Sequence, residues 1–218
     1  MSAESGITTF RDSGGLWEKH RIEDVATPEA WRRNRTLVLN FYNQRREQVL
    51  NAKPNAAHQF IAELQHQFDV HVITQNVDDL HERAGSKHVI HLHGELAKAR
   101  STADDRLVYS VGKEGIRLGD QCEKGSQLRP HIVWFGELVP MMDQANIIAS
   151  TSELFVVIGT SLNVYPAAGI LNFVEPDIPK WLVDPGEFHL DYVRHLKHIR
   201  KTAVGGIEEL AKDLEKHL

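Results

Sequence analysis

The chain has 218 residues, 41% hydrophobic and 25% charged, the size and composition of one globular domain that buries roughly 70% of its unfolded surface. Its net charge of −5, with only short basic clusters at Trp31 to Arg35 and Arg45–Arg46, argues against nucleic acid as a partner, and no apolar run is long enough to span a bilayer. The single cysteine, Cys122, excludes an intramolecular disulfide and fits a reducing compartment; the polar start MSAESGITTFRD does not read as a signal peptide, so the cytoplasm is the expected location.

In chain order, residues 1–19 lack periodicity and are predicted as loop. Trp31, Leu37, Val38, Phe41, Tyr42 and Leu50 space a helix from Pro28 to Leu50, with Thr27 as its N-cap. A second helix runs from Pro54 to Gln67 with Ala57, Phe60, Ile61 and Leu64 as its apolar stripe. Phe68 to Thr74 and Val89 to Leu92 are predicted strands. The polar, Gly-containing stretch from Lys98 to Ser126 is predicted as an inserted lobe. Then follow a strand at Ile132 to Phe135, a helix at Met141 to Thr151, a strand at Leu154 to Ile158, a helix from Pro166, a strand at Lys180 to Val183 and a helix from Ile207. Alternating strands and helices predict an α/β fold with a mostly parallel, doubly wound sheet.

Two predicted strand ends carry chemistry. Gln75, Asn76, Asp78, Asp79 and His81 follow the first strand, and His93 with Gly94 follows the second. Ligands of open α/β sheets bind at the carboxyl ends of strands, so the pair reads as an active-site edge, although polar loops alone would share this composition. A third end, Gly159-Thr160-Ser161, offers close backbone approach and hydroxyl donors to phosphate or ribose, and equally suits an ordinary turn. The sequence contains no GxxxxGK[ST] phosphate loop.

The blocks SAESGITTFRDSGGLW (2–17), TQNVDDLHERAGS (74–86), HLHGE (91–95), LRPHIVWFGE (128–137) and GTSLNVYPAA (159–168) together resemble the sirtuins, the NAD-dependent protein-lysine deacylases, over nearly the whole chain. The resemblance implies a single domain over 1–218. Its Rossmann-like core would be formed by 1–19, 51–97 and 127–218, with a helical insert at 20–50 and a small, degenerate zinc-module-like insert at 98–126. It implies NAD as cofactor and acyl-lysine proteins or peptides as substrates. The acyl oxygen would attack the nicotinamide-bearing ribose carbon, releasing nicotinamide and finally O-acyl-ADP-ribose. His93 matches the catalytic base, a role suited to an imidazole of ordinary pKa about 6.5, with Asn76 and Asp78 beside it.

Cofactor contacts are implied for Ser2, Ala3, Phe10, Arg11, Trp17, Gln75, Asn76, Val77, Asp78, Gly159, Thr160, Ser161, Leu182, Val183, Asp184 and Ala203. The substrate peptide would lie as an added strand against Val133, Phe135, Gly136 and Glu137 on one side and Asn163 and Val164 on the other. Tyr42 and Arg45, three residues apart on one helical face, match a Tyr-x-x-Arg pair that reads succinyl- or malonyl-lysine in one subgroup. The alternative for them is a packed Tyr beside a solvated Arg. His91, sharing a side of its strand with His93, is read as a hydrogen-bonded core residue.

Two departures accompany the resemblance. Most sirtuins hold a structural zinc with four cysteines; here Cys122 stands alone, Gly125 falls where its partner would be and Ser101 lies near the expected start of the first pair, so no zinc is expected. The family also carries an apolar strand and Gly-Ala-Gly ahead of the serine matched by Ser2; this sequence starts after them, either because its start is placed too late or because the chain lacks them, and a true deletion would leave a gap in the sheet and weaken NAD binding. Rival readings are a mono-ADP-ribosyltransferase and a non-catalytic NAD or ADP-ribose sensor.

Overall fold

In the computed structural model, which describes residues 1–8, 20–160 and 166–218, two parallel sheets border an open slot. In the first, β1 (His71–Thr74) pairs with β2 (His88–His91), Thr74 lying opposite His91. Parallel neighbours need a crossover, and α5 (Leu80–Ala84) supplies it, following α1 (Ile22–Val25), α2 (Pro28–Arg33), α3 (Arg35–Asn51) and α4 (Ala56–Glu63). The second sheet has the order β6 (Phe155–Ile158), β7 (Lys180–Val183), β8 (Leu196–Ile199). The inner strand β7 is buried at every position, whereas β6 is only half-buried along its length.

That difference marks the slot. Among the described residues β1 and β6 each have a strand partner on one side only, and both line a cavity of about 1590 Å³. The cavity runs from Asn76 and His93 at the strands' carboxyl ends to Leu214 and His217. Where the resemblance implies a further central strand, the described residues leave this slot.

A third, antiparallel sheet has the order β4 (Val108–Ser110), β3 (Gly94–Ser101), β5 (Leu128–Ile132). Against it packs α3, with α1 and α2 packed on α3, and all share a cluster that includes Val38, Phe41, Leu96, Ala99, Ile132 and Trp134. The segments expected at 20–50 and 98–126 therefore meet on one apolar core. A separate cluster unites Trp181, Val183, Ile199 and Leu210 under α7 (Ala203–Leu214), and Ile90, Leu92, Ala145 and Ile170 form another beneath α6 (Met142–Ser150).

Several boundaries differ from expectation for local physical reasons. The helix predicted over Pro28 to Leu50 is broken at Asn34, whose extended backbone (φ −153) ends α2 and whose side chain accepts from Leu37 N at 3.0 Å to start α3. Thr27 caps α2 as expected, accepting from Ala30 N at 3.0 Å. The strand predicted at Ile132 to Phe135 lies instead at Leu128–Ile132 in the antiparallel sheet; it includes Pro130, tolerated because β5 is an edge strand. The final helix starts at Ala203, with Thr202 accepting from Gly205 N. The helix expected from Pro166 is a 3₁₀ segment, Ala167–Phe173. Among the described residues no helix is long and apolar enough to cross a membrane.

Candidate active site

The loop leaving β1 is shaped by its own polar side chains. Thr74 Oγ1 accepts from Asn76 N at 3.0 Å, and Asp78 Oδ1 accepts from Leu80 N at 3.2 Å. Asn76 Nδ2 donates to Ser2 Oγ at 2.8 Å, and the Ser2 side chain also bonds to Asp78. Burial raises the Asp78 pKa against the lowering effect of these hydrogen bonds. Gln75 Nε2 reaches Thr160 Oγ1 at 3.3 Å, tying the ends of β1 and β6 together.

His93 stands between β2 and β3, half-buried and lining the cavity. Its Nδ1 lies 3.1 Å from the Gln75 carbonyl, and its own carbonyl accepts from Val133 N at 2.9 Å. A carbonyl only accepts, so Nδ1 carries the hydrogen and Nε2 holds the basic lone pair in the neutral ring. Burial pushes the His93 pKa below its ordinary value, with the Gln75 bond opposing. The site thus keeps a neutral imidazole beside amide, hydroxyl and carboxyl groups, a set able to orient hydroxyls and remove a proton.

His91 behaves differently. It is buried, with Nε2 2.7 Å from Glu82 Oε1 and Nδ1 3.1 Å from the Asn76 carbonyl. Burial opposes its charge, but the Glu82 bond and charge outweigh it and its pKa is raised. It braces the loop from behind, as a hydrogen-bonded core residue does.

At the neighbouring strand end Gly159 adopts φ +60, and a Cβ there would fall 2.6 Å from the Met1 nitrogen. Only glycine fits so close an approach of two backbones. Gly159, Thr160, Ala3 and Val77 all line the cavity with Ser2 and Asn76. This glycine cradle with hydroxyl and amide donors has the chemistry that ribose and phosphate oxygens require.

Tyr42 and Arg45 lie one turn apart on α3, both buried and both lining the same cavity. Arg45 Nη1 donates to the Thr8 carbonyl at 3.4 Å. Burial raises the Tyr42 pKa and lowers that of Arg45, the mutual Coulombic effect opposing each. The expectation of a solvated Arg is not met.

Beyond β5, Val133, Phe135 and Gly136 line the cavity, and Trp134 turns inward and is buried. Glu137 also lines it, but its carboxylate is held by Arg129 at 2.6 Å, by Arg100 at 3.2 Å and by Trp134 N at 2.8 Å. Arg129 and Trp134 carried no sequence signal beyond belonging to the block 128–137. Leu182 and Val183 are buried in the inner strand β7 and do not line the cavity. Asp184 accepts from Gly186 N at 2.8 Å, and Ala203 N donates to Glu4 at 3.0 Å. Phe10, Arg11, Trp17, Ser161, Asn163 and Val164 lie outside the described residues.

In the small sheet Cys122 Sγ donates to Ser101 Oγ at 3.2 Å, and Ser101 Oγ accepts from Ala103 N at 3.0 Å and Asp104 N at 3.2 Å. Lys124 and Arg106 meet the Asp104 carboxylate at 2.8 and 2.9 Å. Among the described residues no three His, Cys, Asp or Glu side chains converge as a metal site needs. A tetrahedral thiolate zinc does not fit these residues.

Comparison with known proteins follows the same lines. The Sir2 family model matches residues 1–166. A relative from Bacteroides thetaiotaomicron described as an NAD-dependent protein deacylase is 51% identical over 216 residues, 96% of this chain and 92% of its own. A solved Sir2 homologue–NAD complex is 39% identical with a TM-score of 0.87, covering 99% of this chain and 86% of that one. A Sir2 homologue variant with ADP-ribose is likewise 39% identical, with a TM-score of 0.88 over 99% of this chain and 88% of that one.

Proposed function

The chain belongs to the Sir2 family and is an NAD-dependent protein deacylase, and we propose that His93 is its general base in a site that prefers acyl groups ending in a carboxylate. The observation that carries the first part is the His93 Nδ1 bond to the Gln75 carbonyl, which leaves Nε2 as the basic nitrogen of a cavity-lining ring. NAD, when bound, supplies an electrophilic ribose carbon and a nicotinamide leaving group. Gly159 and Thr160, with Ser2 and Ala3, would hold its phosphate and ribose oxygens. Gln75, Asn76 and Asp78 would hold hydroxyl and carboxamide groups near His93, whose Nε2 takes a hydroxyl proton. The residues outside the described structure, Phe10, Arg11, Trp17 and Ser161, are assigned to the cofactor by resemblance alone, as are Leu182, Val183, Asp184 and Ala203, whereas Val77 also lines the cavity.

Substrate is assigned to the opposite wall. Val133, Phe135, Gly136 and Glu137, with Asn163 and Val164, would flank the peptide. Tyr42 and Arg45 supply a phenol and a guanidinium inside the cavity, and a buried cation near a hydroxyl is the chemistry that recognises a carboxylate. Succinyl- and malonyl-lysine therefore suit the site better than acetyl-lysine. The single cysteine agrees with action on proteins of a reducing compartment such as the cytoplasm. Incubation with NAD and acetyl- or succinyl-lysine peptides, following nicotinamide release and peptide mass, tests the reading. Acyl-dependent nicotinamide release, faster with succinyl peptide, is expected. NAD binding without acyl-dependent release would replace the enzyme with a sensor.

A further inference from the structure

Beneath the substrate wall lies a buried cation that no proposed step uses. Arg129, on β5, presents the face of its guanidinium to Trp134, 3.2 Å from the ring centroid. Its fork grips Glu137 at 2.6 Å through Nη1 and 3.0 Å through Nη2, and Nη2 also donates to the Ile132 carbonyl at 2.9 Å. Glu137 in turn accepts from Trp134 N at 2.8 Å. One guanidinium therefore closes the turn from Trp134 to Glu137 and covers one side of the tryptophan ring. That ring, 2% exposed, packs 6.5 Å from Tyr42 at 34° and 5.7 Å from Trp31 at 40°.

We propose that Arg129 is a positioning residue for the acyl-lysine site: its fork sets the peptide-bearing turn from Trp134 to Glu137, and its planar stack on Trp134 sets the Tyr42 ring at the acyl end. The proposal rests on the deacylase reading above. A bidentate, charge-assisted contact fixes orientation as well as distance, and a lysine at the same position would supply the charge without the fork or the planar stack. Removing the cation altogether would strand a buried carboxylate, a far cruder perturbation. Arg100, 3.2 Å from the same carboxylate, keeps Glu137 paired when Arg129 is replaced. Trp134 offers a separate handle, because its backbone N–H, not its ring, bonds to Glu137.

The test compares the wild-type protein with R129K and W134F. It measures affinity for fluorescent succinyl- and acetyl-lysine peptides by polarisation, and steady-state kinetics in both peptide and NAD. R129K is expected to weaken binding of both peptides and raise their KM on the order of tenfold, with much smaller changes in kcat and in KM for NAD, as misplacement of a binding wall predicts. W134F is expected to weaken the succinyl peptide more than the acetyl peptide, because only the Tyr42 end is disturbed. Unchanged peptide affinity in a folded R129K would overturn the proposal. So would equal losses in kcat and in both KM values, the signature of a general structural role. If R129K fails to fold, W134F decides: an unaltered succinyl-to-acetyl ratio defeats the claim. Failure of the wild-type protein to turn over any acyl peptide would instead defeat the deacylase reading, with the binding measurements still judging Arg129.

Discussion

His93 Nδ1 and the Gln75 carbonyl lie 3.1 Å apart, and this contact links the two strand ends that bracket the site. It orients the ring, fixes its tautomer and leaves Nε2 as the nitrogen with the basic lone pair. Burial, the larger influence, keeps the ring neutral to lower pH than an exposed histidine. With His93 as the proposed base the active form is the neutral one, so lowering the pKa extends activity towards acid. The acidic limb of kcat/KM against pH is expected to have its midpoint below the ordinary histidine value of about 6.5. A midpoint above 7 would mean that another group limits the reaction.

Tyr42 and Arg45 are buried together at the cavity wall. Arg45→Met removes a cation while keeping much of the side chain's bulk. Turnover of succinyl-lysine peptide is expected to fall on the order of 100-fold in kcat/KM, with acetyl-lysine peptide changed by only a few-fold, because a site built around a polar partner discriminates by leaving that partner unpaired. Equal losses on both peptides would contradict the carboxylate reading.

The small sheet is closed by Cys122, Ser101 and the Asp104 ion pairs rather than by a thiolate cluster. Prolonged chelator treatment is therefore expected to leave the melting temperature and the activity where they were. Cys122→Ala, which removes the donor to Ser101 Oγ, is expected to cost about 1 kcal/mol, the scale of one hydrogen bond. Chelator-induced unfolding measured by circular dichroism would show that a metal holds the lobe after all.

Among the described residues, the slot between β1 and β6 leaves two parallel strands with unshared edges beside a cavity of about 1590 Å³. The Met1 nitrogen lies at the slot's end, against Gly159. A short run of valine and isoleucine joined to the amino side of Met1 is expected to pair with both edges and raise the melting temperature, by roughly 2–4 °C for each kcal/mol gained in a domain of this size. A lysine-rich control extension is expected to do nothing. No difference between the two extensions would mean that the slot does not accept a strand.

Legibility in the sequence tracked how local the deciding interaction is. Lys180 to Val183 was readable because an inner parallel strand is apolar throughout, and β7 is buried at every position. Thr27 ahead of Pro28 announced a cap that the structure contains. The break at Asn34 was not readable, since its cap bond to Leu37 competes with an unbroken apolar periodicity. β8 carries no readable strand signal, because Leu196, Lys197, His198 and Ile199 mix polar and apolar residues in too short a run. Two glycines masked the start of α7; one of them, Gly206, lies where a Cβ would collide with Val183, so close packing of helix on sheet requires it.

At the site, Gln75, Asn76, Asp78 and His93 were readable as chemistry crowded at strand ends. The bond from Asn76 to Ser2, 74 positions apart in the chain, and the grip of Arg129 and Arg100 on Glu137 were not, because three-dimensional proximity creates them. Glu137, which the resemblance sets beside the substrate peptide, has its carboxylate clamped by Arg129, Arg100 and Trp134 N.

Proton transfer by His93 is the central step of the proposed mechanism. The direct measurement is nicotinamide release from NAD by purified wild-type protein and by His93→Ala, each with and without succinyl-lysine peptide, with the peptide product weighed by mass spectrometry. The account predicts acyl-dependent release and a deacylated peptide from the wild type, and a loss of on the order of 100-fold or more in the variant, as removal of a general base entails. Undiminished deacylation by a folded His93→Ala protein would contradict it.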